Sequence, residues 1–201
     1  MNQNKLERWE QNQLAERIKK GKIFIYPTVA GYGMGCSIHQ PESIDEIFEL
    51  KQHAVEKNLS VLCSQEQARK LAEFSEPLRS AARRFWPGNL TLVLEAKNPG
   101  GLDGRIIRDG KLALRVPGLE PLVELIDCSA PVVGTSANWS GRSMPARLES
   151  IPPELIKEVD FVLGEARGEG ESSTVAGWSK EDAEWKIFRE GPVKKSELEN
   201  L

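Results

Sequence analysis

Histidine and cysteine are scarce in this 201-residue chain, which holds two histidines, His39 and His53, and three cysteines, Cys36, Cys63 and Cys128. Neither H-E-x-x-H nor C-x-x-C occurs, which excludes the common spacings of zinc hydrolases and zinc knuckles, and no metal ligands are assigned. Two histidines also leave little room for a serine-histidine-carboxylate triad. The cysteines are widely spaced and odd in number, so no disulfide framework is expected and a reducing, cytoplasmic compartment fits best. No run approaches the roughly 20 apolar residues of a helical membrane span. Residues 1–20 are polar and helix-periodic, without the apolar core and cleavage site of a secretory signal, so the mature chain is expected to begin near Met1. No G-x-x-x-x-G-K-[ST] phosphate loop occurs, and Gly31-Tyr32-Gly33-Met34-Gly35 has the wrong spacing for a G-x-G-x-x-G dinucleotide fingerprint. A nucleotide, if bound, must be held differently.

What is present is ordinary soluble composition, 39% hydrophobic and 28% charged, at a length that fits one large domain. The formal net charge is −3, so the surface as a whole is no nonspecific nucleic-acid binder and any anion site must be local. Leu6, Trp9, Leu14 and Ile18 keep to one side of a 3.6-residue period and predict a helix over 4–20, ended by Gly21. Ile23 to Tyr26 reads as a buried strand closed by Pro27, with Gly31, Gly33 and Gly35 keeping the following turn open. Capping-box patterns at Ser43/Glu46 and Ser64/Gln67 predict two helices, the first ending near Leu50 and Lys51. Further helices are expected at 76–85, 119–126 and 154–159. Strands are expected at 59–63, 90–95, 111–116, 132–134, 161–163, 174–176 and 185–188, with a glycine-rich connection at 97–110. Elements alternate without internal repeat, so the fold class is α/β (α+β): a single-domain, twisted mixed sheet flanked by helices. The expected organisation is an N-terminal helix over 1–20 packed on a domain spanning 21–192, followed by a flexible, solvated tail over 193–201.

Hydroxyls, amides and cations cluster just after the predicted strands, where loop ends of an α/β sheet converge on one crevice. Thr28 stands with Tyr32, Lys51 with His53 and Lys57, Ser136 with Asn138, and Ser173 with Arg189; Lys111 and Arg115 lie on one strand. Such donors suit a triphosphate and a carboxylate, whose charge must be matched once water is excluded. Taken singly, each has an ordinary explanation. Thr28 and the 135–138 run suit turns or caps, Lys51 suits a helix C-terminus, and Arg115 between apolar neighbours suits the solvent face of a strand.

Taken in order they carry more. Pro27-Thr28-Val29-Ala30-Gly31-Tyr32-Gly33-Met34-Gly35 resembles P-T-x-T-x-Y-G-L-G, and Lys51-Gln52-His53 falls where a K-x-R motif belongs. Trp86-Pro87-Gly88-Asn89-Leu90-Thr91 is similar to W-P-G-P-L-T, Leu114-Arg115-Val116-Pro117 to V-R-V-P, and Thr135-Ser136-Ala137-Asn138-Trp139-Ser140-Gly141 to T-S-A-N-x-S-G. Ser172-Ser173-Thr174-Val175 and Phe188-Arg189-Glu190-Gly191 resemble S-T-V and L-R-P-G. These ordered motifs resemble the YrdC/YciO family, known also as threonylcarbamoyl-AMP synthases. The resemblance implies a twisted sheet around a large positively charged cavity. It also implies a cytoplasmic nucleotidyltransferase that consumes L-threonine, bicarbonate and ATP, with magnesium expected on the ATP. The product would pass to a downstream threonylcarbamoyl transferase complex for tRNA modification. Carried over residue by residue, Lys51, Ser136 and Asn138 form the catalytic set. Lys51, His53, Lys57, Lys111, Ser136, Asn138 and Arg189 should hold the nucleotide, and Thr28, Tyr32, Arg115 and Ser173 the threonine.

The chain departs from that pattern at Ala30 for the second threonine, His53 for the K-x-R arginine and Asn58 for the K-P-L proline. Arginine grips phosphate at any pH, whereas a histidine at its reference pKa of about 6.5 is only partly charged at neutrality. Features around Cys36, 59–63 and Asn89 also resemble the YciO branch, which generally lacks the S-A-N motif kept here. A second reading is therefore a YciO-like RNA- or ribosome-binding module taking tRNA or double-stranded RNA, with weak or altered adenylate-forming activity.

Overall fold

The computed structural model describes residues 8–51, 59–164 and 171–201. Helix α1 (Arg8–Lys19) leads into a hairpin of β1 (Phe24–Thr28) and β2 (Gly31–Gly35), then α2 (Pro41–Lys51). Next come β3 (Ser60–Leu62), α3 (Gln65–Leu71), β4 (Ala72–Glu73), α4 (Glu76–Phe85), β5 (Leu90–Ala96), β6 (Ile107–Arg108) and β7 (Lys111–Arg115). The chain continues through α5 (Glu120–Cys128), β8 (Val132–Ser136), α6 (Pro153–Glu158), β9 (Phe161–Val162), β10 (Thr174–Ser179), β11 (Glu184–Arg189) and α7 (Lys195–Glu199). Among the described residues the strands form one mixed sheet in the order β11-β10-β5-β7-β3-β8-β2-β1-β9, with β4 pairing β5 and β6 pairing β7. The β1–β9, β10–β5 and β3–β7 pairs are parallel.

Period-2 alternation sorts the side chains of this sheet. On β1, Ile25 enters the main core, while Phe24 and Tyr26 face a second apolar cluster with Ile18 of α1 and Leu122, Leu125 and Ile126 of α5. On β5, Leu90, Leu92 and Leu94 are buried in the main core, and the alternate residues Thr91 and Val93 line a cavity. The capping box at Ser64 forms as expected: the Ser64 hydroxyl accepts from the Gln67 amide at 3.2 Å, and the Gln67 side chain accepts from the Ser64 amide at 3.0 Å. Gln67 also donates to the Ile126 carbonyl at 2.8 Å, tying α3 to α5.

Four expectations are corrected. The stretch 31–35 is a strand, paired with β1 and β8, where an open turn was expected. Glycine carries no strand propensity, so the signal was absent; close packing requires it, since a Cβ on Gly33 would sit 2.4 Å from the Tyr26 ring. The α2 helix begins at Pro41, ahead of the Ser43 cap inferred from pattern, because proline is preset for a first helical turn. The 97–110 connection contains β6, whose two residues are too few to leave a period. The segment after Pro192 is no solvated tail: Val193 and Leu198 are buried in the main core, and the Val193 carbonyl accepts from the Thr174 hydroxyl at 2.8 Å. Two apolar residues five apart give too little pattern to announce that docking.

Candidate functional site

The alternation that buries leucines on one side of β5 and β7 turns Thr91, Ala113 and Arg115 toward a cavity of about 920 Å³. Gly134 and Ser136 of β8, Tyr26 and Thr28 of β1, and Ser173 and Arg189 from the β10–β11 region complete its walls. Cationic lining comes from Lys51, Arg108, Lys111, Arg115, Arg142 and Arg189, whereas Asp109 is the lone carboxylate among the described lining residues. A chain of net charge −3 thus concentrates positive charge inside one concavity, where low-dielectric walls focus the field on an entering anion.

At one end, the last turn of α2 delivers Lys51, 1% exposed, beneath the loop that follows β8. Its ammonium donates to the Ser136 carbonyl at 2.6 Å, to the Asn138 side-chain oxygen at 2.6 Å and to the Asn138 carbonyl. The Ser136 hydroxyl donates to the same Asn138 side-chain oxygen at 2.6 Å. The Asn138 amide NH₂ donates to the Arg142 and Ser143 carbonyls at 2.6 and 2.7 Å. One asparagine therefore staples both limbs of the loop and holds the ammonium and hydroxyl together, a preorganised donor set.

At the other end, Arg115 is 7% exposed. Its guanidinium donates to the Gly88 carbonyl at 2.8 Å and the Asn89 side-chain oxygen at 2.6 Å. Burial pulls its pKa down to about 10; the Tyr26 phenol acts upward and the like charge of Arg189 adds to the fall. Arg115 therefore stays cationic at neutral pH. Arg189 donates to the Ser173 carbonyl and hydroxyl, both at 3.0 Å, and Ser173 shares a hydrogen bond of 2.8 Å with the Thr91 hydroxyl. Among the described residues no carboxylate pairs with either guanidinium. Two cations near enough to feel each other, held only by neutral oxygens, make an anion-receiving end.

Of the residues singled out from the sequence, Lys51, Lys111, Ser136, Asn138, Arg189, Thr28, Arg115 and Ser173 line this one cavity. The Thr28 hydroxyl is largely committed to the hairpin, accepting from the Ala30 and Gly31 amides at 3.1 Å each and donating to the Gly31 carbonyl at 2.9 Å. Lys111, at the rim, lies 3.6 Å from Glu95. Arg115 departs from the solvent-face reading, because the face opposite the leucines is the cavity wall. Tyr32 is not among the described lining residues: alternation on β2 turns Gly33 to the cavity and Tyr32 to the main core, where its hydroxyl donates to the Gly164 carbonyl at 3.4 Å. His53 and Lys57 lie outside the described residues. Sequence reasoning missed Tyr26, Thr91, Asn89, Arg108 and Arg142. Only Thr91 left a usable signal, a hydroxyl alternating with three leucines.

A family model described as Sua5_yciO_yrdC, Telomere recombination, matches residues 16–191. The chain belongs to this family. It is 30% identical to the threonylcarbamoyl-AMP synthase of Pyrococcus abyssi over 98% of this chain and 58% of the relative. The crystal structure of P. abyssi Sua5 complexed with L-threonine superposes with a TM-score of 0.84 at 29% identity, over 98% of this chain and 58% of that one. Escherichia coli YciO shares the fold, with a TM-score of 0.80 at 22% identity over 97% and 95% of the two chains. The chain thus spans little more than half the length of the Pyrococcus relative, and the twisted mixed sheet flanked by helices is what it shares with the Sua5/YciO/YrdC fold. Among the described residues no helix is long and apolar enough to cross a membrane.

Proposed function

We propose that this chain is an L-threonylcarbamoyladenylate synthase, a nucleotidyltransferase that joins L-threonine, bicarbonate and ATP. The observation that carries the reading is a single cavity with two separate cationic ends, Lys51 with Ser136 and Asn138 at one and Arg115 with Arg189 and Ser173 at the other. We assign the first end to the triphosphate and the second to the amino-acid carboxylate, which moves Arg189 from the nucleotide set that the family resemblance implies to the threonine end; the relatives are named for threonylcarbamoyl-AMP and L-threonine. The threonine amine and bicarbonate give a carbamate and water. A carbamate oxygen then attacks the α-phosphorus, the bond to the bridging oxygen breaks, and pyrophosphate leaves. Nothing in this sequence needs a covalent enzyme intermediate, so the side chains work by alignment and by neutralising charge. Magnesium would enter on the triphosphate, whose oxygens supply its ligands; a lining with Asp109 as its one described carboxylate fits a phosphate-borne ion better than a protein cage.

Pyrophosphate release that needs both threonine and bicarbonate tests the proposal. Strong, salt-sensitive RNA binding without that release would favour the RNA-binding reading instead. Burial of Lys51 and Arg115 in a concavity, on a chain of net negative charge, argues for small anions over an extended backbone.

A further inference from the structure

We infer that Tyr26, which neither the sequence motifs nor the family resemblance marks, is a substrate-contacting residue whose hydroxyl donates a hydrogen bond to a carboxylate-type oxygen held at the Arg115 end of the cavity. The inference rests on the synthase reading and deepens it by naming a determinant for the amino-acid half of the reaction.

The ring of Tyr26 is 2% exposed, tilted against Phe24 at a centroid separation of 5.3 Å, and joins the apolar cluster beneath α1 and α5. Its far edge is different. Tyr26 is part of the cavity wall, and no hydrogen bond ties its hydroxyl to the described residues. That hydroxyl is no sealed orphan: among the described residues the buried, unpartnered side-chain oxygen is that of Ser75, so the phenolic oxygen opens on the cavity and is free to meet a ligand there. The neighbourhood has been cleared to keep it there. Gly33 lies beside it in the β1–β2 register, and a Cβ on Gly33 would fall 2.8 Å from the phenolic oxygen; one on Gly134 of β8 would fall 3.0 Å from it. Two glycines on adjacent strands thus form the seat of a polar tip that opens on the cavity.

The tip also feels the guanidinium of Arg115, which in turn feels that of Arg189. Burial raises the phenol's pKa well above its ordinary value, and the pull of Arg115 in the other direction is smaller. The hydroxyl therefore remains a neutral donor at physiological pH. A neutral donor beside two cations matches an oxygen of a carboxylate, which has more lone pairs than the guanidiniums can satisfy. That oxygen belongs either to the carboxylate of threonine or to the carbamate formed on its amine.

Tyr26→Phe removes the hydroxyl and leaves the ring. Calorimetry with L-threonine alone, and steady-state pyrophosphate release with bicarbonate and ATP, separate the two oxygens. If the amino-acid carboxylate is the acceptor, threonine affinity falls about tenfold to a hundredfold in the variant. If the carbamate is the acceptor, threonine binding is unchanged and kcat falls by that factor. In either case the KM for ATP stays within about twofold, and the melting temperature without ligand matches that of the parent, because the hydroxyl faces the cavity and holds no partner among the described residues. Unchanged threonine affinity together with unchanged kcat overturns the inference. So does a lower unliganded melting temperature, which would reveal a partner within the fold. Should the unsubstituted protein itself neither bind threonine nor release pyrophosphate, the synthase reading fails first and Tyr26 falls with it.

Discussion

At the scale of single residues, the site holds charge that burial has made costly. The folded pKa of Arg115 lies below its unfolded value, so the buried cation opposes folding at every pH below about 10, and that cost fades as pH rises through about 10. Up to about pH 9 Arg115 stays predominantly charged. A change in ATP binding that depends on residue 53 is expected in that window, since His53 stands where the family pattern has arginine. The ATP Michaelis constant is expected to rise from pH 6 to 9 in the wild type and to stay flat in His53→Arg; identical profiles would remove this role. Thiol chemistry gives a second expectation. Burial pushes the Cys36 thiol up to about 12 and raises Cys63 further, whereas Cys128 is exposed. A maleimide should label Cys128 alone in the native protein and all three cysteines in denaturant, counted by mass spectrometry.

At the scale of elements, two polar devices of similar appearance do different work. The Ser64–Gln67 box starts α3, none of whose residues lines the cavity, so Ser64→Ala should cost about 1 kcal/mol, read from the urea midpoint, with turnover unchanged. Asn138 joins the end of α2 to the loop after β8 through Lys51, Ser136, Arg142 and Ser143. Asn138→Ala leaves a buried ammonium short of an acceptor and two carbonyls short of a donor. It should cost about 2–4 kcal/mol by the same measurement and lower kcat/KM for ATP by at least about tenfold. The contrast arises because one device closes a local ladder, whereas the other holds two elements together across the cavity end.

At the scale of the whole molecule, the C-terminal segment supports the wall that carries Arg189. Val193 and Leu198 are buried, Thr174 at the start of β10 bonds both the amide and the carbonyl of Val193, and α7 lies against β11. Deleting residues 193–201 is expected to cost about 3–5 kcal/mol from the two buried side chains. It should also weaken threonine binding, because β10 and β11 position Ser173 and Arg189. A truncated protein with the full-length melting temperature and affinity would show that the segment is dispensable.

The sequence alone determined the alternation of helices and strands, the Ser64 cap, the local gathering of cations and eight of the side chains that line the cavity, because periodicity, capping and ordered motifs are written in neighbouring residues. Only the tertiary structure decided that Gly31–Gly35 is a central strand, that Tyr32 belongs to the core while Tyr26 reaches the cavity, and that Val193 and Leu198 are anchored. Glycine leaves no periodic trace, and two tyrosines in adjacent strands look alike until pairing assigns each a face. Which face of a strand meets an anion depends on what the other strands bring there, and that is a property of the assembled sheet.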